Sequence, residues 1–289
     1  MTLKELIAPN KTISIIGLAK NVGKTTVLNY LMADLDVPIA ITSIGRDGED
    51  IDVVTHKEKP RIYVPAGAIV ITAKRLLDMS QIRYKTFFET GWSSALGEIV
   101  IIQALSHGRV QLGGPSMVKQ LEELMLHLDK YELDKIFIDG ALGRKSLAKP
   151  SITEACVLCT GAALSNDMSE VINQTQHAVN MLSLARSDSS NDAIAMAGAI
   201  SDDKILKLIM AGKLAGKTIV ADDPTKIFIS RSTYEKMTAK QINLTVKNTI
   251  NLVAVTVNPI SPRDAAFDAS VFLSEMQKCV AVPVFDVML

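Results

Sequence analysis

Residues 13–26, ISIIGLAKNVGKTT, restrict the fold more than any other stretch of the chain. The β-branched run Ile13-Ser14-Ile15-Ile16 reads as a strand. Gly17 opens a loop, Gly23-Lys24-Thr25-Thr26 closes it, and Val27, Leu28, Tyr30 and Leu31 follow at helical spacing. A strand that turns through glycines into a helix gathers the loop's backbone N–H groups and the first helical turn into a concave, positively polarised nest. Such a nest suits a polyphosphate, with Gly17, Lys20, Asn21, Val22, Gly23 and Thr26 forming the cradle. Lys24 would reach the β- and γ-phosphates, and Thr25 would offer its hydroxyl to a magnesium ion bound to the same phosphates. The alternative is a chance glycine, lysine and threonine in a strand-to-helix turn.

A chain of 289 residues with 48% apolar side chains has enough material for one large α/β domain or two smaller ones. Lysine plus arginine and aspartate plus glutamate both number 31, which argues against bulk attraction to nucleic acid or an anionic membrane. Phosphate must therefore be held by local geometry. The opening MTLKELIAPNK has no apolar core of the exported kind, and no run is long enough to cross a bilayer, so the expectation is a cytoplasmic protein. The three cysteines are an odd, sparse set that fits a reducing compartment. Cys156 and Cys159 lie in the apolar run EACVLCTG, where strand alternation puts positions three apart on opposite faces. Inert buried thiols are expected there rather than a zinc or redox pair.

Two further strands end in acids. Pro38 to Gly45 reads as a buried strand running into Arg46-Asp47-Gly48-Glu49-Asp50, and ligands of open α/β sheets sit beyond such carboxyl ends. Asp47 is the candidate magnesium ligand here, with Glu49 and Asp50 able to substitute; a solvated acidic turn explains the same letters. Residues 51–61 are charged and read as a loop over the site, in which Lys57, Lys59 and Arg61 could meet an anion or simply stay solvated. The second strand, Asp134-Lys135-Ile136-Phe137-Ile138-Asp139-Gly140, ends in a carboxylate of the kind that magnesium and an attacking water need opposite a phosphate loop. Lys24, Asp47 and Asp139 are thus the expected catalytic groups, and Thr25, Asp47 and Asp139 the expected metal ligands.

The remaining pattern alternates strands and helices. Short strands are expected at residues 62–64 and 68–71, a short helix at 76–80 and a buried strand at 98–104. Phe87, Phe88 and Trp92 read as packing residues. Gly113-Gly114-Pro115 precedes an amphipathic helix over 117–131, whose start is either an anion site or an ordinary cap. A strand and loop over 154–164 and a helix over 168–184 continue the rhythm. The small, polar stretch 185–192 marks a boundary between a nucleotide-binding domain, 1–185, and a smaller α/β domain, 186–289. In the latter, strands are expected at 193–200, 217–221, 227–229, 251–257 and 282–287, with helices at 202–211, 234–241 and 265–278. Asn258-Pro259 is either a ligand contact or a turn.

Five residues, Leu18 to Val22, separate Gly17 from Gly23, one more than in the common phosphate loop. In this the chain resembles dethiobiotin synthetase, cobyric acid synthase and CTP synthase, P-loop NTPases with the same longer spacing. Asp139-Gly140-Ala141-Leu142-Gly143-Arg144 is similar to the acidic residue and Gly-Ala-Gly-Gly that dethiobiotin synthetases carry. The resemblance implies a mostly parallel, doubly wound sheet, ATP and magnesium as cofactors, and Arg144 and Lys145 as anion contacts. Where those synthetases place a catalytic lysine at the end of the second strand, this chain has Ile41-Thr42-Ser43, a departure that bears on carboxylation and leaves nucleotide binding untouched. GLAKNVGKTT, TSIGRDGED, FIDGALGRKS, VTVNPISP and VPVFDV together resemble the small P-loop subunit that accompanies adenosylcobalamin-dependent lysine 5,6-aminomutase. That resemblance implies a slow ATPase that reactivates the aminomutase together with a larger ATPase subunit, and it leaves a homodimer open. The alternative it competes with is an ATP-dependent ligase acting on a small carboxylate or amine.

Overall fold

In the computed structural model, the structure describes residues 1–33, 35–44, 62–141, 148–187, 193–262 and 266–287. The chain starts with α1 (Leu3–Ile7), β1 (Thr12–Gly17), α2 (Lys24–Met32) and β2 (Ile39–Ser43). It continues through β3 (Ile62–Val64), β4 (Ile69–Ala73), α3 (Lys74–Leu77), β5 (Tyr84–Ser94), β6 (Gly97–Ala104) and β7 (Gly108–Val110). Then come α4 (Val118–Leu128), β8 (Lys135–Ala141), β9 (Ala155–Gly161) and α5 (Met168–Leu182).

A nine-stranded sheet is completed by two strands near the end of the chain, β15 (Leu252–Asn258) and β16 (Val284–Phe285), and its order is β16-β15-β9-β1-β8-β2-β4-β6-β5. Every pairing from β16 to β4 is parallel, while β6 and β5 add an antiparallel edge. The expected mostly parallel α/β sheet is therefore present. Ile13, Ile15, Ile39, Ile41 and Phe137 face α1 and α2 and pack with Leu3, Ile7, Val27, Leu28 and Leu31. On the other face, Ile16, Ile138 and Leu158 pack with Leu121 of α4, Val171 of α5 and Phe272 of α8 (Ala269–Cys279). Strands buried on both sides need continuous apolar runs, which is what β1, β2, β4 and β9 supply.

The segment from 186 onward is not a single unit. A three-stranded parallel sheet of β10 (Ala193–Ala195), β12 (Thr218–Ala221) and β14 (Asn243–Val246), with the pair β11 (Ile200–Ser201) and β13 (Ile227–Phe228), carries α6 (Asp202–Met210) and α7 (Arg231–Ala239). Its core of Ile205, Ile219, Met237 and Leu244 closes on Met181 and Leu184 at the end of α5. After it the chain returns, and β15 pairs with β9 in the large sheet. The polar linker thus marks an excursion; β15 joins β9 and β16 joins β15, the first across a sequence distance that local patterning does not report.

The aromatic stretch around Phe87 forms the edge strand β5. A bulge between Thr86 and Phe88 turns consecutive rings toward α4 and the turn that follows it, where Phe88 tilts against His127 of α4 at 4.9 Å and Phe87 stacks on Tyr131 beyond the helix end at 5.7 Å. Phe88 stays 40% exposed, so only part of this segment is the packing expected of it.

Gly113 and Gly114 pin the approach to α4 across the carboxyl ends of β2 and β4. Gly113 N–H donates to Thr72 Oγ1 at 3.0 Å and Gly114 N–H to Ser43 Oγ at 3.1 Å. A Cβ on Gly114 would stand 1.8 Å from the Ser43 carbonyl oxygen. Gly114→Ala is expected to destabilise the chain by about 2–4 kcal/mol in urea unfolding, because backbone must move. Gly198→Ala, at φ +72 with open space around it, should cost only about 1 kcal/mol.

Candidate functional site

The loop between β1 and α2 stands at the carboxyl end of the sheet, near its middle. Gly17 is required there because a Cβ would meet Val22 Cγ2 at 2.7 Å and Lys24 Cδ at 2.9 Å. Asn21 and Gly23 both adopt left-handed backbone, φ 62 and 88, so the chain reverses tightly before α2 begins at Lys24. Within the described residues, the N–H groups of Val22, Gly23, Lys24 and Thr25 find no acceptor in the chain. Val27 N–H is the first to close on the loop, donating to Gly23 O at 3.0 Å. Lys24 Nζ folds back onto Ala19 O at 3.3 Å. Lys20 and Thr26 are exposed, and Thr25 is half-buried.

β8 lies directly beside β1, with Asp139 in register with Ile15 on one side and with Ser43 of β2 on the other. Alternation places Asp139 on the α2 face, two residues beyond buried Phe137. The residue keeps partial exposure, but its Oδ1 is shut off from solvent and has no hydrogen-bond partner among the described residues. Burial pushes this carboxyl above the usual carboxylate range, while the Lys24 ammonium and the Gly140 N–H pull it back. Lys24 and Asp139, 115 residues apart by their numbers (139 − 24), are thus brought into electrostatic contact.

A buried carboxylate oxygen with no hydrogen-bond partner among the described residues, within electrostatic reach of a lysine, fits a magnesium ion, which commonly takes one or two protein ligands plus phosphate oxygens and water. Among the described residues there is no cluster of three or more His, Cys, Asp or Glu able to hold a metal by itself. Asp139 and Thr25 are the groups on hand. Asp47, Glu49, Asp50, Lys57, Lys59 and Arg61 lie outside the described residues, as do Gly143, Arg144 and Lys145.

Two residues that the sequence reading left as turn or core take part in the framing, one through its side chain and one through its backbone. Asn258, at the end of β15, sends its Nδ2 to Asn21 O at 3.2 Å. Cys159, at the end of β9, receives the Leu18 N–H on its carbonyl at 3.0 Å. Its thiol, like that of Cys156, is buried and pushed up to about 12, and the two fall in the cores on opposite faces of the sheet. They are inert at neutral pH. The opposite, amino-terminal end of the sheet has a cleft of about 520 Å³ beside α1. There Lys135 Nζ is spent on Ala8 O and Asn10 O, each at 2.6 Å, as a helix-end cap.

No helix among the described residues is long and apolar enough to cross a membrane. Comparison with protein-family models, curated proteins and solved structures gave no match to the chain.

The raised Asp139 pKa makes a stability prediction. Between the ordinary carboxylate value and the raised folded value the native state holds the extra proton, so stability falls as pH rises through that window. Asp139→Asn removes the buried charge and should raise the ligand-free melting temperature at neutral pH by about 2–4 °C for roughly 1 kcal/mol. The gain should shrink on acidification through the same window, as followed by thermal melts across pH.

Proposed function

We propose that the chain is a P-loop NTPase that binds magnesium-ATP at the β1–α2 loop and hydrolyses it slowly. The observation that supports this most directly is the electrostatic reach of Lys24 to Asp139, whose buried Oδ1 has no hydrogen-bond partner among the described residues, at the sheet end where the N–H groups of residues 22–25 also find no acceptor among them. In this reading the N–H groups of residues 22–25 hold the phosphate oxygens, and Lys24 leaves Ala19 O to reach the terminal phosphates. Thr25 and Asp139 would hold the metal, joined by Asp47. Magnesium held by these residues would supply charge neutralisation at the phosphates. In the same reading Asp139 would hold the metal or orient a water, and Lys24 would offset charge growing on the transferred group.

The resemblance of the sequence to the small subunit accompanying lysine 5,6-aminomutase supports a finer proposal. ATP turnover here would serve the reactivation of an adenosylcobalamin-dependent aminomutase, together with a larger ATPase. A synthetase-type ligase fits less well. At the end of β2, where that chemistry places a lysine, Thr42 and Ser43 are buried, and their hydroxyls are committed to Ile71 O and to the Gly114 N–H.

Calorimetric titration of ATP, with and without magnesium, tests the site. Lys24→Ala should weaken binding about 10- to 100-fold, the cost of a charge-assisted contact to phosphate. Equal affinity in the variant would remove the phosphate assignment. Phosphate release should be slow alone and rise when the aminomutase and its ATPase partner are added. A chain that is silent with them yet active with a small acid or amine is a ligase instead.

A further inference from the structure

Asn258 touches the β1–α2 loop from a strand two places away in the sheet and far along the chain. β15 is separated from β1 by β9, and the contact is possible because Gly161 ends β9 without a side chain. A Cβ on Gly161 would stand 2.2 Å from the Asn258 carbonyl oxygen, which instead accepts the Ala162 N–H at 2.9 Å. The Asn258 side chain then lies over the loop. Its Cβ sits 3.4 Å from where a Cβ of Gly23 would be.

The amide is used at both ends. Oδ1 accepts from Ile260 N–H at 3.1 Å, and Nδ2 donates to Asn21 O at 3.2 Å. Turning the amide over would set N–H against N–H and oxygen against oxygen, so the network fixes its orientation. The residue it grips is one of the two non-glycine residues with positive φ among those described. A left-handed asparagine is strained and stays only where its surroundings hold it.

We propose that Asn258 is a positioning residue for the phosphate-binding loop: by tethering the Asn21 carbonyl it holds the left-handed turn that aims the N–H groups of Val22 to Thr25 at the phosphates. The inference rests on the phosphate-site reading above and adds to it a residue outside any phosphate-loop motif. The tether acts on the backbone, so it governs any polyphosphate, with or without a nucleoside attached.

Inorganic tripolyphosphate, which has no base or sugar, is the discriminating probe. Its affinity and that of ATP are measured on the wild-type chain, Asn258→Ala, Asn258→Asp and Lys24→Ala. Asn258→Ala should weaken both ligands by the same factor, about fivefold for one lost hydrogen bond. Asn258→Asp keeps the shape and the Ile260 contact but turns an oxygen toward Asn21 O and adds a negative charge beside the phosphates. It should weaken both ligands about 20-fold or more, and the deficit should shrink in high salt. Its isosteric shape keeps the test informative where the alanine variant folds poorly. Loss of ATP with unchanged tripolyphosphate would put Asn258 on the nucleoside and overturn the proposal. Binding that depends on Lys24 and ignores Asn258 would overturn it while leaving the phosphate site intact. A wild-type chain that binds neither ligand, or binds both without need of Lys24, would overturn the phosphate site and this proposal together.

Discussion

The candidate site depends on one arrangement: a carboxylate on β8 held without a hydrogen-bond partner for one oxygen, opposite a lysine at the start of α2. Burying such a group costs free energy unless charge or donors meet it. The neighbouring Lys24 and the Gly140 N–H supply part of the compensation, and burial still prevails in the direction of its pKa. A fold selected for stability alone would place an apolar residue beside Ile15, as it does two positions earlier with Phe137 beside Ile13. The exception falls at the sheet end where the β1–α2 loop leaves β1, and where the N–H groups of residues 22–25 find no acceptor among the described residues.

Around this pair the framework is rigid for local reasons. Gly17, Gly114 and Gly161 each stand where a Cβ would meet another atom at 2.7 Å or less, and they lie at the ends of β1, β9 and the approach to α4. Together they let three chain segments crowd the carboxyl ends of the central strands. The hydroxyls of Thr42, Ser43 and Thr72 take up the backbone groups that the crowding leaves over. Among the described residues, the carboxyl end of the sheet is therefore built largely from close approaches that a Cβ would block.

Much of this was legible before any coordinates. Runs such as IAITS and ACVLCTG can only be strands buried on both faces, and that alone implies a parallel sheet covered by helices. The order of β1, loop and α2 marked the candidate site, and the strand ending at Asp139 proved to lie beside β1. Less legible were features set by distant pairing. Nothing within residues 251–287 says that β15 lies against β9, because a strand's neighbours are chosen by the sheet and its own pattern records only that it is buried. The edge strand β5 was obscured in another way: its bulge breaks the period-2 alternation, so its aromatic residues look like unplaced packing. Asn258 gave only the signal of a turn, since a side chain at a strand end carries no trace of the loop it will meet.

The late return of β15 bears on how the chain is made. As synthesis proceeds, β1, β8 and β9 can assemble once residue 161 has emerged, yet β9 then presents an open strand edge. That edge waits while the whole excursion from β10 to β14 is translated and collapses on its own core. The side of the site braced by Asn258 exists only after this wait. The Asn258 contact to the loop therefore cannot form until β15 has been made and has paired with β9.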